Sequence, residues 1–258
     1  MRKTFRPNAV NDHLREPGGK VRLYGEAPLE ADARVEATQE QAHYLLHVMR
    51  AKAGSRLALF NGRDGEWLAQ IAEATKRRCV FICEHQTRPQ QGEPDLWLCF
   101  APVKKTPADY LTQKATELGV SVLQPVLTRR TIVSRVNTGR MRANAIEAAE
   151  QSDRLAVPEI REPKTLEKLL TEWPDRRRLI FCDEVGEAPP IAEVVADSVL
   201  LELAVLIGPE GGFDPSERGQ IRSRDFVMPV SLGPRILRAD TAALAALAVW
   251  QALKGDWR

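Results

Sequence analysis

Three stretches place acids, glycines or arginines directly behind an apolar run. FCDE (181–184) ends in Asp183 and Glu184. LAVLIGPEGGFDPSE (203–217) stops an apolar run through Leu206 and Ile207 at Gly208, then adds Pro209, Glu210, Gly211 and Gly212. SLGPRILRADTAALAAL (231–247) sets Ser231, Leu232 and Gly233 ahead of Arg235 and Arg238. Glycines let a ligand approach the main chain and permit positive φ, so the second stretch can offer carbonyls and N–H groups directly. It lacks the Gly-Lys-Ser/Thr of a phosphate-gripping loop, and it is not GxGxxG. Glu210 suits a cation or a sugar hydroxyl better than a phosphate. The plainer alternative for an isolated GPEGG is a tight turn leading into a helix cap at Asp214. In the third stretch the apolar pair Ile236–Leu237 lies between two arginines and needs a cover, either ordinary loop packing or a flat heteroaromatic ring.

Other reactive groups carry less. His43 and His47 are i, i+4 and share a helix face, but no Glu follows His43 as a zinc-protease motif requires. The cysteines Cys79, Cys83, Cys99 and Cys182 contain no CxxC pair. Cys79 and Cys83 fall on one face of a strand-like run and read as small buried hydrophobes in a reducing cytoplasm. No metal site is expected. The net charge of +2 says little, but residues 101–145 hold eight cations, among them Lys104, Lys105, Arg129 and Arg130, against two acids. Such a stripe fits nucleic acid, and it equally fits a solvated face whose charges pair elsewhere in the fold.

These groups need positioning elements. The 258 residues, 43% of them apolar, allow one large domain or two ordinary ones with a real core. No apolar run reaches the roughly 20 residues of a membrane span, and the basic N-terminus has no apolar stretch behind it, so neither a membrane nor secretion is expected. Residues 20–88 read as short alternating strands with turns at Asn61-Gly62 and Asp64-Gly65, a small β-barrel or sandwich. One helix interrupts them, capped by Thr38 with Gln41 reciprocating. QTRPQQGEPD (86–95) reads as a linker. Beyond it, strands at 96–101, 122–128, 178–184, 202–208 and 226–233 alternate with helices up to about Gly119, at 138–152, at 165–173, from Asp214, and at 240–254. That alternation predicts a mostly parallel α/β sheet, with ligands outside the carboxyl ends of its strands.

LIGPEGGF followed by SLGPRILRADTA resembles the signature of the SPOUT superfamily of RNA methyltransferases. It is most similar to the family that methylates uridine N3 in small-subunit (16S) ribosomal RNA. QKATELGVSVLQPVLTRRTIVSR (113–135) and EAAEQSDRLAVPEI (147–160) are similar to further motifs of that family. RLYGEAPL and HYLLHVMRAKAGSRLALFNGRDGEWLAQI resemble its PUA-like RNA-binding barrel. The likeness spans about residues 20–254 in the family's order. It departs at Ala239-Asp240, where the family reads Thr-Glu, and at Asp153 within Glu150-Gln151-Ser152-Asp153-Arg154, where the family has Gly.

The resemblance implies a PUA-like barrel over 1–88, a linker at 89–95, and over 96–258 an α/β domain with a deep trefoil knot. It implies S-adenosylmethionine bound in bent form by the three stretches, a homodimer with the site near its interface, and 16S ribosomal RNA of the small subunit as substrate. Backbone around Leu206, Ile207, Gly208, Gly211, Gly212, Ser231, Leu232, Gly233, Ile236 and Leu237 is expected to hold the cofactor, with Asp183 or Glu210 on its ribose or amine. Arg238 would either stabilise a uridinate, with Glu210 or Asp240 as base, or contact a phosphate or the second subunit. Arg50, Lys104, Lys105, Arg129 and Arg130 would hold the RNA backbone. Two other readings stay open: a SPOUT enzyme acting on a ribose 2′-hydroxyl or another base, and a non-catalytic RNA-binding assembly factor.

Overall fold

The computed structural model describes residues 14–16, 19–75, 78–102, 105–133, 135–185, 187–197 and 202–257. The chain separates into two units between Gln91 and Gly92. Lys104, and the side chain of Lys105, lie outside the described residues.

In the first unit, β1 (Arg15–Glu16) and β2 (Gly19–Lys20) form a small antiparallel pair. The strands β3 (Arg22–Tyr24), β4 (Arg34–Glu36), β5 (Arg56–Phe60), β6 (Glu66–Ala74) and β7 (Cys79–Arg88) form one sheet in the order β3-β5-β6-β7-β4. Only β3–β5 is parallel. Register shifts along β6–β7 bend that long hairpin. Leu23, Leu57, Leu59, Ile71 and Phe81 share one core with Cys79 and Cys83, the two thiols read as lying on one face. Among the described residues the sheet runs from β3 at one edge to β4 at the other, and these are the strands of the expected small β-barrel. The turns at 61–65 form as read: Asn61 Oδ1 accepts from the N–H groups of Arg63 and Asp64 at 3.0 and 2.8 Å. Gly65 has φ +76°, and a Cβ there would strike the Arg88 carbonyl. Thr38 caps α1 (Gln39–His43) with Gln41 reciprocating, and a π-helical turn at Tyr44–Val48 follows. The exposed His43 and His47 rings lie 4.9 Å apart, on one face.

The second unit contains β8 (Leu96–Phe100), α2 (Lys105–Glu117), β9 (Val122–Leu127), α3 (Thr138–Gln151), β10 (Glu159–Ile160), β11 (Lys164–Thr165), α4 (Leu166–Thr171), β12 (Arg178–Cys182), α5 (Ile191–Asp197), β13 (Leu203–Ile207), α6 (Pro215–Arg222), β14 (Val227–Val230) and α7 (Ala239–Leu253). The sheet runs β10-β9-β8-β13-β12-β14, with β11 also on β9, and every pairing is parallel. β13 shows why its sequence is apolar without alternation. Leu203, Val205 and Ile207 enter a core beneath α2, α5 and α7, while Ala204 and Leu206 enter a second core beneath α4 and α6. The sequence reading assigned no element to α5, although Ile191, Val194 and Val195 follow helical spacing.

Two of the helix ends are tied by specific groups. Asp214 caps α6, and its capping box closes through the buried Glu217. At the end of α2, Gly119 adopts φ +78° and donates to the Thr116 carbonyl at 3.0 Å. The buried Arg154 completes that cap, donating to the carbonyls of Thr116 and Val120 at 2.7 and 3.0 Å. Ser231 is laced to the loop before α5: its N–H donates to Pro189 and its carbonyl accepts from Ile191. Among the described residues no helix is long and apolar enough to cross a membrane. Nor, among them, could any group of three or more His, Cys, Asp or Glu hold a metal.

Candidate active site

The carboxyl ends of β12, β13 and β14 open onto one cleft of about 620 Å³. All three stretches singled out in the sequence line it. Asp183, Glu184 and Val185 come from the first. Ile207, Gly208, Pro209, Glu210 and Gly212 come from the second, and Ser231 to Arg238 come from the third. The GPEGG elbow is a tight turn closed by the Gly212 N–H on the Pro209 carbonyl at 2.8 Å. Gly212 sits at φ +67°, and a Cβ there would meet the Glu184 carboxylate. At Gly208 a Cβ would lie 2.6 Å from the Phe213 ring, which packs edge-on against Phe181 with centroids 5.4 Å apart. These two glycines let main chain form the cleft wall.

Four expectations require correction. Leu206 is fully buried in the core beneath α6, because strand alternation turns it from the cleft that Ile207 lines. Gly211 does not line the cleft, and its φ is not positive. Asp240 does not line it either: its carboxylate turns back to accept from the Thr241 N–H at 2.8 Å, a favourable place for an acid in the first turn of α7. Asp183 lines the cleft but is saturated. Arg218 Nε and Nη2 donate to it at 2.8 and 2.9 Å, Arg222 adds a third guanidinium contact, and only 2% of its side chain is exposed. The Val185 N–H donates to Oδ1 at 3.3 Å as a fourth contact, so the carboxylate's four acceptor sites are taken and none is left for a sugar or an amine. Glu184 and Glu210, both exposed, are the carboxylates open to the cleft.

Arg238 is the N-cap residue of α7; its exposed side chain makes no capping bond and lines the cleft. Ile236 is 86% exposed and Val185 59% exposed, leaving an apolar rim. Cys182 also lines the cleft, but burial pushes its thiol up to about 12, so it is no nucleophile at neutral pH.

The basic stripe is largely paired within the fold. Lys114 pairs with Glu117, Arg140 pairs with Asp109, and Arg129 with Asp214. Arg130 donates to the Gly211 carbonyl at 2.8 Å. Arg50, in contrast, is exposed, has φ +53° and makes no side-chain bond among the described residues. Arg218 and the bracing role of Arg130 escaped the sequence reading. Arg218 follows the Asp214 cap by one helical turn, a spacing that turns it back toward the strand ends.

Residues 90–251 match the RNA methyltransferase domain family, and residues 37–83 match the RNA methyltransferase PUA domain family. The Ribosomal RNA small subunit methyltransferase E of Rickettsia conorii is 32% identical over 229 residues, covering 88% of this chain and 93% of that one. The chain belongs to the small subunit methyltransferase E family. Among solved structures, the family member of Neisseria gonorrhoeae, bound to S-adenosyl methionine, superposes with a TM-score of 0.82 at 28% identity, over 92% of this chain and 99% of that one. A Legionella pneumophila protein solved in complex with the same cofactor gives 0.80 at 29% identity, covering 92% and 98%. The architecture is thus the family's SPOUT α/β domain with a PUA-like unit before it. The resemblance leads one to expect Gly within EQSGR. Asp153 occupies that place with φ +60°, a left-handed conformation that Asp tolerates better than most residues.

Proposed function

We propose that this chain transfers a methyl group from S-adenosylmethionine to N3 of a uridine in 16S ribosomal RNA of the small subunit, acting as a homodimer. The observation that carries the reading is the convergence of three strand-end loops, glycine-walled on one side, on a single cleft. The donor set fits the cofactor. Backbone at Gly208, Gly212, Leu232 and Leu237 can take an adenosine closely. Ile236 and Val185 offer apolar cover for a base, and Glu184 and Glu210 offer carboxylates for a ribose or an ammonium group. The cofactor supplies an electrophilic methyl carbon on a sulfonium.

The chain's own task is alignment and charge control. An in-line displacement depends mainly on positioning, which rigid strand ends provide. Uridine N3 attacks only after losing its proton. In this reading Glu210 accepts it and the Arg238 guanidinium stabilises the anion, roles supported by the exposure of both side chains along the cleft. Asp240, hydrogen-bonded to its own helix, is left out of this scheme. N3 lies on the pairing edge, so the uridine must leave its stack to enter the cleft. The exposed apolar rim of Ile236 and Val185 supports a second copy closing over the site.

The test joins three measurements. Calorimetric titration should show one cofactor site per chain. Small-subunit particles lacking the modification should gain N3-methyluridine, read by nuclease digestion and mass spectrometry. Sedimentation should give a dimer. A folded protein that binds no cofactor refutes the enzyme reading and favours an RNA-binding assembly factor. Methylation at a ribose hydroxyl refutes the acceptor.

A further inference from the structure

Arg129 and Arg130 lie on the loop after β9, outside the cleft. The loop is closed on itself, with the Thr128 N–H donating to Thr131 Oγ1 at 2.9 Å. Both side chains turn toward the elbow and its helix. Arg129 Nη1 donates to Ser216 Oγ at 2.6 Å and Asp214 Oδ1 at 3.2 Å, and its N–H donates to the buried Glu217 at 2.8 Å. Arg130 Nη1 donates to the Gly211 carbonyl at 2.8 Å, and its aliphatic stem passes about 4 Å from the place of a Gly211 Cβ.

The second contact matters because of peptide planarity. The Gly211 carbonyl and the Gly212 N–H belong to one rigid plane. Arg130 holds the oxygen end of that plane, and the Pro209 carbonyl holds the nitrogen end at 2.8 Å. Gly212 lines the cleft; its neighbour Gly211 faces away. With both ends fixed the plane cannot flip, although glycines flank it. We propose that Arg130 is a positioning residue: through this peptide it sets the shape of the cleft wall and hence cofactor affinity, rather than gripping RNA. The inference rests on the cofactor reading above.

The full-length chain is compared with Arg130→Met, which keeps the stem but removes the donor, and with Arg130→Lys, which restores one N–H. Cofactor affinity is read by calorimetry, stability by thermal unfolding, and 16S RNA affinity by filter binding across a salt series. Arg130 is exposed, so both variants should fold. Arg130→Met should weaken S-adenosylmethionine about tenfold, with the melting temperature and the RNA salt slope unchanged. Arg130→Lys should recover part of the loss. If the parent binds cofactor and Arg130→Met binds it equally well, the inference fails while the enzyme reading stands. A reduced RNA salt slope with intact cofactor affinity assigns Arg130 to the phosphates and overturns it too. A parent that binds no cofactor removes both.

Discussion

Gly208, Gly211 and Gly212 look equivalent in the sequence, yet the structure ranks them. At Gly211 an added Cβ finds only the Arg130 stem, at 3.9 Å, and the backbone is not left-handed. Gly211→Ala should therefore be neutral or stabilise by about 0.4–1 kcal/mol through the unfolded chain. At Gly212, φ +67° imposes roughly 1–2 kcal/mol on any L side chain. The unfolded-state gain offsets part of this, and the Glu184 carboxylate can swing aside, leaving a net loss of about 1 kcal/mol. At Gly208 the backbone is ordinary, but a Cβ would lie 2.6, 2.9 and 3.3 Å from three atoms of the Phe213 ring. The ring cannot swing freely, because its edge contact with Phe181 is part of the core beneath α6. Overpacking of this kind costs about 1–3 kcal/mol.

The assay is thermal unfolding of the three alanine variants, followed by calorimetric titration with S-adenosylmethionine. For a unit of this size each kcal/mol is worth about 2–4 °C. Gly208→Ala should melt lowest, Gly212→Ala between, and Gly211→Ala at or above the parent. Cofactor affinity should fall for Gly208→Ala and Gly212→Ala and persist for Gly211→Ala, whose carbonyl still meets Arg130. The reasoning is refuted if Gly211→Ala loses as much affinity as its neighbours, or if Gly208→Ala melts with the parent.

Three further outcomes are expected. Burial pushes the thiols up, to about 11 at Cys79 and Cys83 and about 12 at Cys99 and Cys182; the folded chain at pH 8 should resist iodoacetamide and the denatured chain should take it up at all four, as read by mass spectrometry. Burial raises the Glu66 carboxyl, but hydrogen bonds from Arg22 and Thr87 with the charges of Arg22 and Arg88 outweigh it and leave it lowered. A lowered carboxyl stabilises above its unfolded value and loses that contribution as pH falls through the folded one, so the first unit should weaken below about pH 4, and Glu66→Gln should flatten that dependence in acid titrations followed by circular dichroism. Replacing the buried Arg154 by Ala removes this donor from Glu93 and the Val120 carbonyl and leaves the Thr116 carbonyl with the Gly119 N–H alone, which should cost about 2–4 kcal/mol in urea unfolding, whereas a loss under 0.5 kcal/mol would contradict the cap.

What could be read in advance follows from the range of the forces involved. The caps at Thr38 and Asp214 were legible because a capping box spans four consecutive residues. The strand ends were legible because five apolar residues followed by Gly208 admit few structures, and parallel α/β sheets put ligands at that end. Strand parity alone would also have separated Ile207, toward the cleft, from Leu206, toward α6. Asp183 could not be judged this way, since its saturation depends on Arg218 and Arg222, which are brought to it by a helix 35 and 39 positions away. The basic stripe was illegible for the same reason. Arg130 meets Gly211 across 81 positions, and Arg140 meets Asp109 across 31. Charge counted along the chain cannot tell a cation awaiting RNA from one already holding the fold. Glycine counted along the chain is as ambiguous, because only the torsion and the neighbouring ring decide which of three glycines the cleft requires.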